Sequence, residues 1–337
     1  MNPFAESQVR SLVESIRLLE VLVTAPLGLY SDLKMLRGAI NDPAAQDLTA
    51  GETRDRRLAL LPLASQGRQI ALRTIALVRE SLAALDELGL TDGLPFGADW
   101  PDRASRVLDR AERQVGSELR TATAARVRGL YVIVDPEVTR GRPVAQIAEA
   151  AVRGGARMIQ LRDKTSDAAD VLRTARELKH LCEPHALFVL NDDAGLTAAA
   201  EAHGLHTGQT DLPVAEARRI LGAGQIIGRS NNSIEEVVES QSAGADYIAV
   251  GAVFPTATMA KAERRTIGTE TIARVKEMVD QPVVAIGGIN LGNVASVFEA
   301  GADAACVASA VALADEPEQA AAAIVEAIAG VSPAGSG

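Results

Sequence analysis

The sequence predicts an α/β chain in which an all-helical N-terminal domain, residues 1–125, precedes a (β/α)8 TIM barrel, residues 126–330, with a disordered tail at 331–337. Three observations carry that prediction. The chain is 47% hydrophobic but only 3% aromatic, its hydrophobic period changes at Gly129, and eight strand-then-helix units follow that point. An Ala- and Val-rich, aromatic-poor composition suits close-packed helices and buried parallel strands better than an aromatic-cored sandwich. A length of 337 residues leaves room for roughly two domains.

The N-terminal segments read as helices and loops only. In ESQVRSLVESIRLLEVLV, residues 6–23, the positions Val9, Leu12, Val13, Ile16, Leu19 and Val23 recur at helical spacing, and Pro26 helps end the helix. QIALRTIALVRESLAALDELG, residues 69–89, repeats the pattern through Ala71, Ile75, Val78, Leu82 and Leu85, with Gly89 placed as a C-terminal cap. DGLPFGADWPD reads as a loop, and a third helix starts at Arg103. From Gly129 the strands are LYVIV, RMIQL, LFVL, GLHT, IIGRS, YIAVG, PVVAIG and ACVAS. Helical patterns separate them near 143–153, 167–181, 214–221, 233–242, 270–279, 291–299 and 317–328, with a shorter one after Asp193. Eight regularly spaced βα units in about 200 residues favour a closed barrel over a doubly wound sheet.

Composition also narrows the function. A formal net charge of −10 argues against a generic nucleic-acid binder, because phosphate backbones attract basic faces. Cys182 and Cys306 are the only cysteines and lie far apart, so neither a disulfide framework nor a zinc site is indicated. The N-terminus MNPFAESQVR lacks an apolar leader, and no apolar run approaches membrane-spanning length. A cytoplasmic protein acting on small molecules, with no membrane or nucleic-acid partner, is the expectation.

In a (β/α)8 barrel the residues just past each strand's C-terminal end face one rim, where active sites of this fold lie. Those positions hold Gln160, Arg162 and Lys164 after strand two, Asn191 and Asp192 after strand three, and Gln209 and Asp211 after strand four. Ser230 follows on strand five, Thr256 and Thr258 after strand six, Gly287 and Gly288 after strand seven, and Ser309 ends strand eight. Arg162 and Lys164, two apart, share a face of an extended segment and together can grip a polyphosphate. Asp192 and Asp211, with an amide nearby and no His or Cys cluster, suit a hard cation such as Mg²⁺ that shares ligands with substrate phosphates. AIGGI and VASAV place backbone N–H groups where barrels commonly hold a phosphate.

Each position has a plainer reading. Asp192 or Asp193 can cap the following helix, Arg162 and Lys164 can be a solvated loop, the Gly pair can be only a turn, and Thr256 and Thr258 ordinary loop polars. Ser309 suits packing or capping equally. His206 reads as a residue that packs or orients the TGQTD loop. What favours the joint reading is that independent loops have no packing reason to place complementary charges on one rim.

QLRDK, LNDDAGLTAAAEAHGLHTGQTDLP, GRSNNSIEEVVESQSAGADYIAVGAVFPTAT and VVAIGGINLGNVASVFEAGADAACVASAV occur in an order and spacing that resemble thiamin phosphate synthase, over about residues 129–330. The resemblance implies coupling of a hydroxymethyl-aminopyrimidine diphosphate to a thiazole phosphate, with release of pyrophosphate and Mg²⁺ as cofactor. It implies that Arg162 and Lys164 hold the diphosphate beside Asn191, and that Asp192 and Asp211 hold the metal. Gln160 and Ser230 would face the pyrimidine, Ser230 at its amino group. Thr256 and Thr258 would receive pyrophosphate or thiazole phosphate oxygens, and Gly288 and Ser309 would line the thiazole phosphate pocket. Arg162, Lys164 and Ser230 are the catalytic candidates.

Two departures stand out. Met259 stands where the family usually has Lys, and Lys261 with Arg264 or Arg265, in MAKAERRTIG, is the candidate replacement as a closing lid. GRSNN stands where a Thr-His pair usually follows the Ser. A thiazole tautomerase is a second reading, although such barrels use a His where this chain has Asn232 and lack the paired acids. A catalytically inert scaffold is a third, supported by Met259. The helical N-terminal domain resembles an extension of some bacterial members; packing on the barrel, self-association into a homo-oligomer and binding a regulator stay open for it, and a solvated helical bundle with no catalytic task is the favoured reading.

Overall fold

The computed structural model describes residues 3–27, 33, 36–37, 64–87, 100–255 and 266–331. The chain divides into two compact units, Met1–Leu119 and Arg120–Gly337. That division lies inside the third helix, whereas the sequence reading set its boundary after it. Among the described residues no helix is long and apolar enough to cross a membrane.

The first unit is built on α1 (Pro3–Leu27), α2 (Ala64–Glu87) and most of α3 (Trp100–Ala124). The apolar positions read at helical spacing are the buried ones: Leu12, Ile16 and Leu19 of α1 form one cluster with Ile75, Val78 and Leu82 of α2 and with Leu108, Ala111 and Val115 of α3. Helix α1 includes Pro26 and is described through Leu27. Helix α3 starts earlier than Arg103, because Pro101 is tolerated in a first turn and Asp102 there complements the helix dipole. Gly89 and residues 332–337 lie outside the described residues.

The second unit is the predicted barrel. Its elements are β1 (Gly129–Val134), α4 (Val144–Arg153), β2 (Met158–Leu161), α5 (Ala168–Cys182), β3 (Leu187–Asn191), α6 (Ala194–Ala199), β4 (Gly204–Thr207) and α7 (Val214–Ile220). After these come β5 (Ile226–Asn231), α8 (Ile234–Ser242), β6 (Tyr247–Val250), α9 (Gly268–Met278), β7 (Val283–Ile286), α10 (Val294–Glu299), β8 (Ala304–Val307), α11 (Ser309–Ala312) and α12 (Pro317–Ala329). All eight strands pair in parallel and in sequence order, and β8 returns to β1, so the barrel closes. The short α11 is the one element absent from the sequence reading, which ran the last strand through Ser309.

Strand alternation sorts the side chains. Leu130, Val132, Val134, Ile159, Leu161 and Phe188 face the helices. Tyr131, Ile133, Met158, Val189, Tyr247, Val284 and Cys306 fill the interior, joined by Ala124 and Val127 of the segment entering β1. Arg120 in that segment bonds to the Ala223 carbonyl and lies 3.5 Å from Asp246, which Arg218 also holds at 2.5 Å. The interior has room for the Tyr247 ring because β5 carries Gly228 beside it: a Cβ on Gly228 would lie 1.9 Å from the ring's Cζ. Overpacking of a closed interior costs about 1–3 kcal/mol. Gly228→Ala is therefore expected to lower the unfolding free energy by that amount, read as a lower urea midpoint at an unchanged slope; an unchanged midpoint would show that the ring gives way freely.

Candidate active site

Asp192 follows β3 directly and takes a left-handed backbone conformation, φ 64°, which Asp tolerates better than most residues. The strain is held by a hydrogen bond from its backbone N–H to the His206 carbonyl, 2.9 Å, and such outliers persist where the surroundings over-determine them. The conformation brings the Asp192 carboxylate to Lys164 Nζ, 2.9 Å away, and close enough to Asp211 to feel its charge. Burial, followed by the neighbouring Asp211, pushes the Asp192 carboxyl above its ordinary value against the pull of Lys164. Asp211 in turn accepts the Gly208 N–H at 2.6 Å. Its loop is fixed by Gln209, which donates to the Ser230 carbonyl at 2.7 Å and accepts from the buried Arg229 at 2.9 Å. Asp193 does something different from Asp192. It caps α6 through Leu196 N–H, 2.7 Å, so the two adjacent acids divide as a rim carboxylate and a helix cap.

A cavity of about 750 Å³ opens within the C-terminal mouth of the barrel. Arg162, Ser230, Gly287, Gly288 and Ser309, five of the residues singled out from the sequence, line it, whereas Lys164, Asn191, Asp192 and Asp211 do not. Gly287 and Gly288 both have positive φ, and a Cβ on Gly288 would lie 2.5 Å from the Pro255 carbonyl, so the glycines let the end of β7 close against the segment after β6. The turn reading and the pocket-lining reading of this pair both hold. Val138, Phe254, Ile289 and Leu313 give part of the wall an apolar surface, and Asn231, Asn232 and Asn290 give another part a polar one.

Arg162 is held by Asp135, whose second oxygen accepts the Glu137 N–H at 2.9 Å, and Glu137 itself lies 3.9 Å from Arg162. Arg162 and Lys164 thus engage different carboxylates, Asp135 and Asp192. Asp135, buried and lining the cavity, was missed by the sequence reading although it is the first residue past β1; the rim rule applied to strand one would have found it.

Gln160 is 1% exposed, lies inside the barrel and bonds to Tyr131 rather than appearing among the lining residues. Asn191 ends β3 as the register partner of His206. His206, read as a packing or orienting residue, donates or accepts at Ser230 Oγ, 2.8 Å, through Nε2. Thr256, Thr258, Met259, Lys261, Arg264 and Arg265 lie outside the described residues. Among the described residues no group of three or more His, Cys, Asp or Glu side chains is placed to hold a metal.

This geometry has a counterpart in known proteins. A family model described as thiamine monophosphate synthase matches residues 130–311. The chain belongs to the thiamine monophosphate synthase family. It is 44% identical over 200 residues to a thiamine-phosphate synthase of Shouchella clausii, spanning 59% of this chain and 95% of that protein. Similarity to the thiamine-phosphate synthase of Synechocystis sp. extends over 305 residues at 34% identity, 90% of this chain and 83% of that one, so it reaches well into the helical N-terminal unit. Among solved structures, the thiamine phosphate pyrophosphorylase of Pyrococcus furiosus superposes with a TM-score of 0.57 at 34% identity, covering 62% of this chain and 98% of that one.

Burial pushes both His206 and His203 down to about 4 from an ordinary 6.5. The unfolded chain therefore binds protons on these rings below pH 6.5 that the folded chain refuses, and stability present above 6.5 is lost as pH falls toward 4. By pH 5 the loss is about 2 kcal/mol per ring on the scale of 1.36 kcal/mol per pH unit. Urea midpoints measured at pH 7 and pH 5 are expected to show it, and His203→Gln is expected to remove roughly half of the difference.

Proposed function

We propose that the barrel couples a hydroxymethyl-aminopyrimidine diphosphate to a thiazole phosphate, giving thiamin phosphate and pyrophosphate, with Mg²⁺ as cofactor. Membership of the family supports the reaction. The single observation that carries it to this chain is the convergence, on one rim, of Lys164, Asp192 and Asp211 with a cavity lined by Arg162 and Ser230.

The donor set fits the metal. Asp192 and Asp211 are neighbouring oxygen donors; burial is the larger cause of the upward push on the Asp192 carboxyl, and the smaller part that comes from Asp211 is the repulsion a divalent cation between them would relieve. Two carboxylates suit an ion that keeps waters and takes its remaining ligands from phosphate oxygens. When bound there, Mg²⁺ supplies positive charge to a departing diphosphate.

The protein's own part is positioning and charge. Cleavage of the methylene C–O bond sends the electron pair onto the diphosphate, and the electron-rich aminopyrimidine stabilises the cation left behind. The thiazole nitrogen then forms the new C–N bond. Arg162, a planar fork, and Lys164, a compact charge, neutralise the leaving group. Neither step requires a protein nucleophile, and the interior offers inert groups: the Cys306 thiol is pushed up by burial and His206 is neutral at physiological pH. Ser230 on the cavity wall would orient the pyrimidine, while Gly288 and Ser309 would flank the thiazole phosphate. Gln160, buried beneath the cavity, would act through the interior.

Incubating the purified full chain with both substrates is expected to release pyrophosphate only when Mg²⁺ is present. Conversion of thiazole phosphate alone, with no pyrimidine consumed, would favour the tautomerase reading instead. Asp192→Ala is expected to reduce kcat/KM at least 100-fold and to flatten the Mg²⁺ dependence, the usual scale for loss of a metal-held charge; wild-type turnover in that variant would remove the metal assignment.

A further inference from the structure

A chain of hydrogen bonds crosses the barrel interior beneath the cavity and ends at its wall. Gln160 Nε2 donates to the Tyr131 hydroxyl; the hydroxyls of Tyr131 and Tyr247 lie 3.5 Å apart; Tyr247 Oη meets His206 Nδ1 at 2.9 Å; His206 Nε2 meets Ser230 Oγ at 2.8 Å. The rings of His206 and Tyr247 are stacked, with centroids 5.7 Å apart. Gln160, Tyr131, Tyr247 and His206 are all buried, and of the five only Ser230 lines the cavity.

Each hydroxyl in such a chain has one proton to donate and lone pairs to accept, so the bonds can run in one direction throughout. With Gln160 donating to Tyr131, the Tyr131 proton is free for Tyr247, and the Tyr247 proton for His206 Nδ1. A neutral imidazole that accepts at Nδ1 must carry its proton on Nε2. That proton points at Ser230 Oγ, which leaves the Ser230 proton directed away from the chain and into the cavity.

We propose that Tyr247 and His206 are positioning residues that set the direction of the Ser230 hydroxyl, so that Ser230 meets the pyrimidine as a hydrogen-bond donor to a ring nitrogen. The choice of ligand rests on the reaction proposed above; the direction of the chain does not. It differs from the contact implied by resemblance, in which Ser230 serves the exocyclic amine. A chain serving only to satisfy buried polar groups would alter stability when cut but would not discriminate between the two substrates.

Two measurements on the full-length protein test this. In the ¹⁵N spectrum of histidine-labelled protein, with the His206 signals identified by their loss in His206→Gln, the expected state is protonated at Nε2 and bare at Nδ1. The opposite tautomer would overturn the proposal without need of any variant that might unfold. In Tyr247→Phe, which keeps the ring and removes the hydroxyl, KM for the pyrimidine diphosphate is expected to rise about 3- to 10-fold, the factor for one neutral hydrogen bond. KM for thiazole phosphate is expected to stay unchanged. Equal rises in both, or none, would overturn the positioning role. Should Tyr247→Phe fail to fold, Tyr131→Phe interrupts the same chain one bond earlier and is read by the same ratio of the two KM values. If the wild type consumes no pyrimidine diphosphate, the proposed reaction fails while the tautomer still decides the direction of the chain.

Discussion

The parallel pairing of β1 with β8 is the constraint on which the site depends. Gly129 to Val132 run in register with Ala304 to Val307, and that ladder turns an eight-stranded sheet into a cylinder with no edge. Closure forces the residue after each strand onto one ring. Asp135, Arg162 and Asp192 are scattered over the sequence and have only that position in common, and Ser230 stands one residue before the end of β5. Closure also explains the strand composition. With helices on one side and a filled interior on the other, every strand is buried on both faces, so the strands read as nearly continuous apolar runs.

Charged side chains brought together on such a ring must be paired or pay for desolvation. The rim satisfies this with two separate ion pairs, Arg162 on Asp135 and Lys164 on Asp192, while Asp192 also faces Asp211. The pairings differ in character. Asp135 is nearly fully buried and holds a second bond from the Glu137 N–H, so it fixes the guanidinium from behind and leaves other N–H groups of its fork to face an anion. Lys164 is half exposed and flexible, and its partner carries a carboxylate neighbour. A cation between the two aspartates would relieve their repulsion and weaken the hold of Asp192 on Lys164, which frees the ammonium for a phosphate oxygen. In the proposed reaction, binding of metal and diphosphate would thereby be coupled through one carboxylate.

Much of this architecture was legible in the sequence because it follows from periodicity and position. Leu12, Ile16 and Leu19, or Ile75, Val78 and Leu82, declare a helical core by spacing alone, and the eight βα units declare a barrel by count. The rim was legible wherever the rule of reading just past a strand was applied. Asp135 escaped because that rule was not carried to the first strand. The division of the two acids is readable from the sequence, which assigns Asp193 to the helix cap it makes at α6; the left-handed backbone at Asp192 is permitted by residue identity but not announced by it. Gln160 is placed toward the pyrimidine by the resemblance, and its hydrogen bond to Tyr131 inside the barrel is a contact that the sequence does not announce. Short α11 escaped for a related reason: VASAV is equally consistent with the end of a strand and the first turn of a helix.

The interior chain lies beyond sequence patterns altogether. Tyr131, His206 and Tyr247 occupy inward positions on three different strands, and their contacts depend on barrel stagger and on the absence of a side chain at Gly228. An aromatic-poor protein has placed two of its three tyrosines there. Stability does not require it, since replacing both partners of a buried hydrogen bond with well-packed apolar groups is often neutral or favourable. A filled hydrophobic layer would serve a barrel core at least as well. What an apolar layer cannot do is hold a hydroxyl on the cavity wall with its proton pointing one way. The polar interior is therefore better understood as the base of the site than as part of the core.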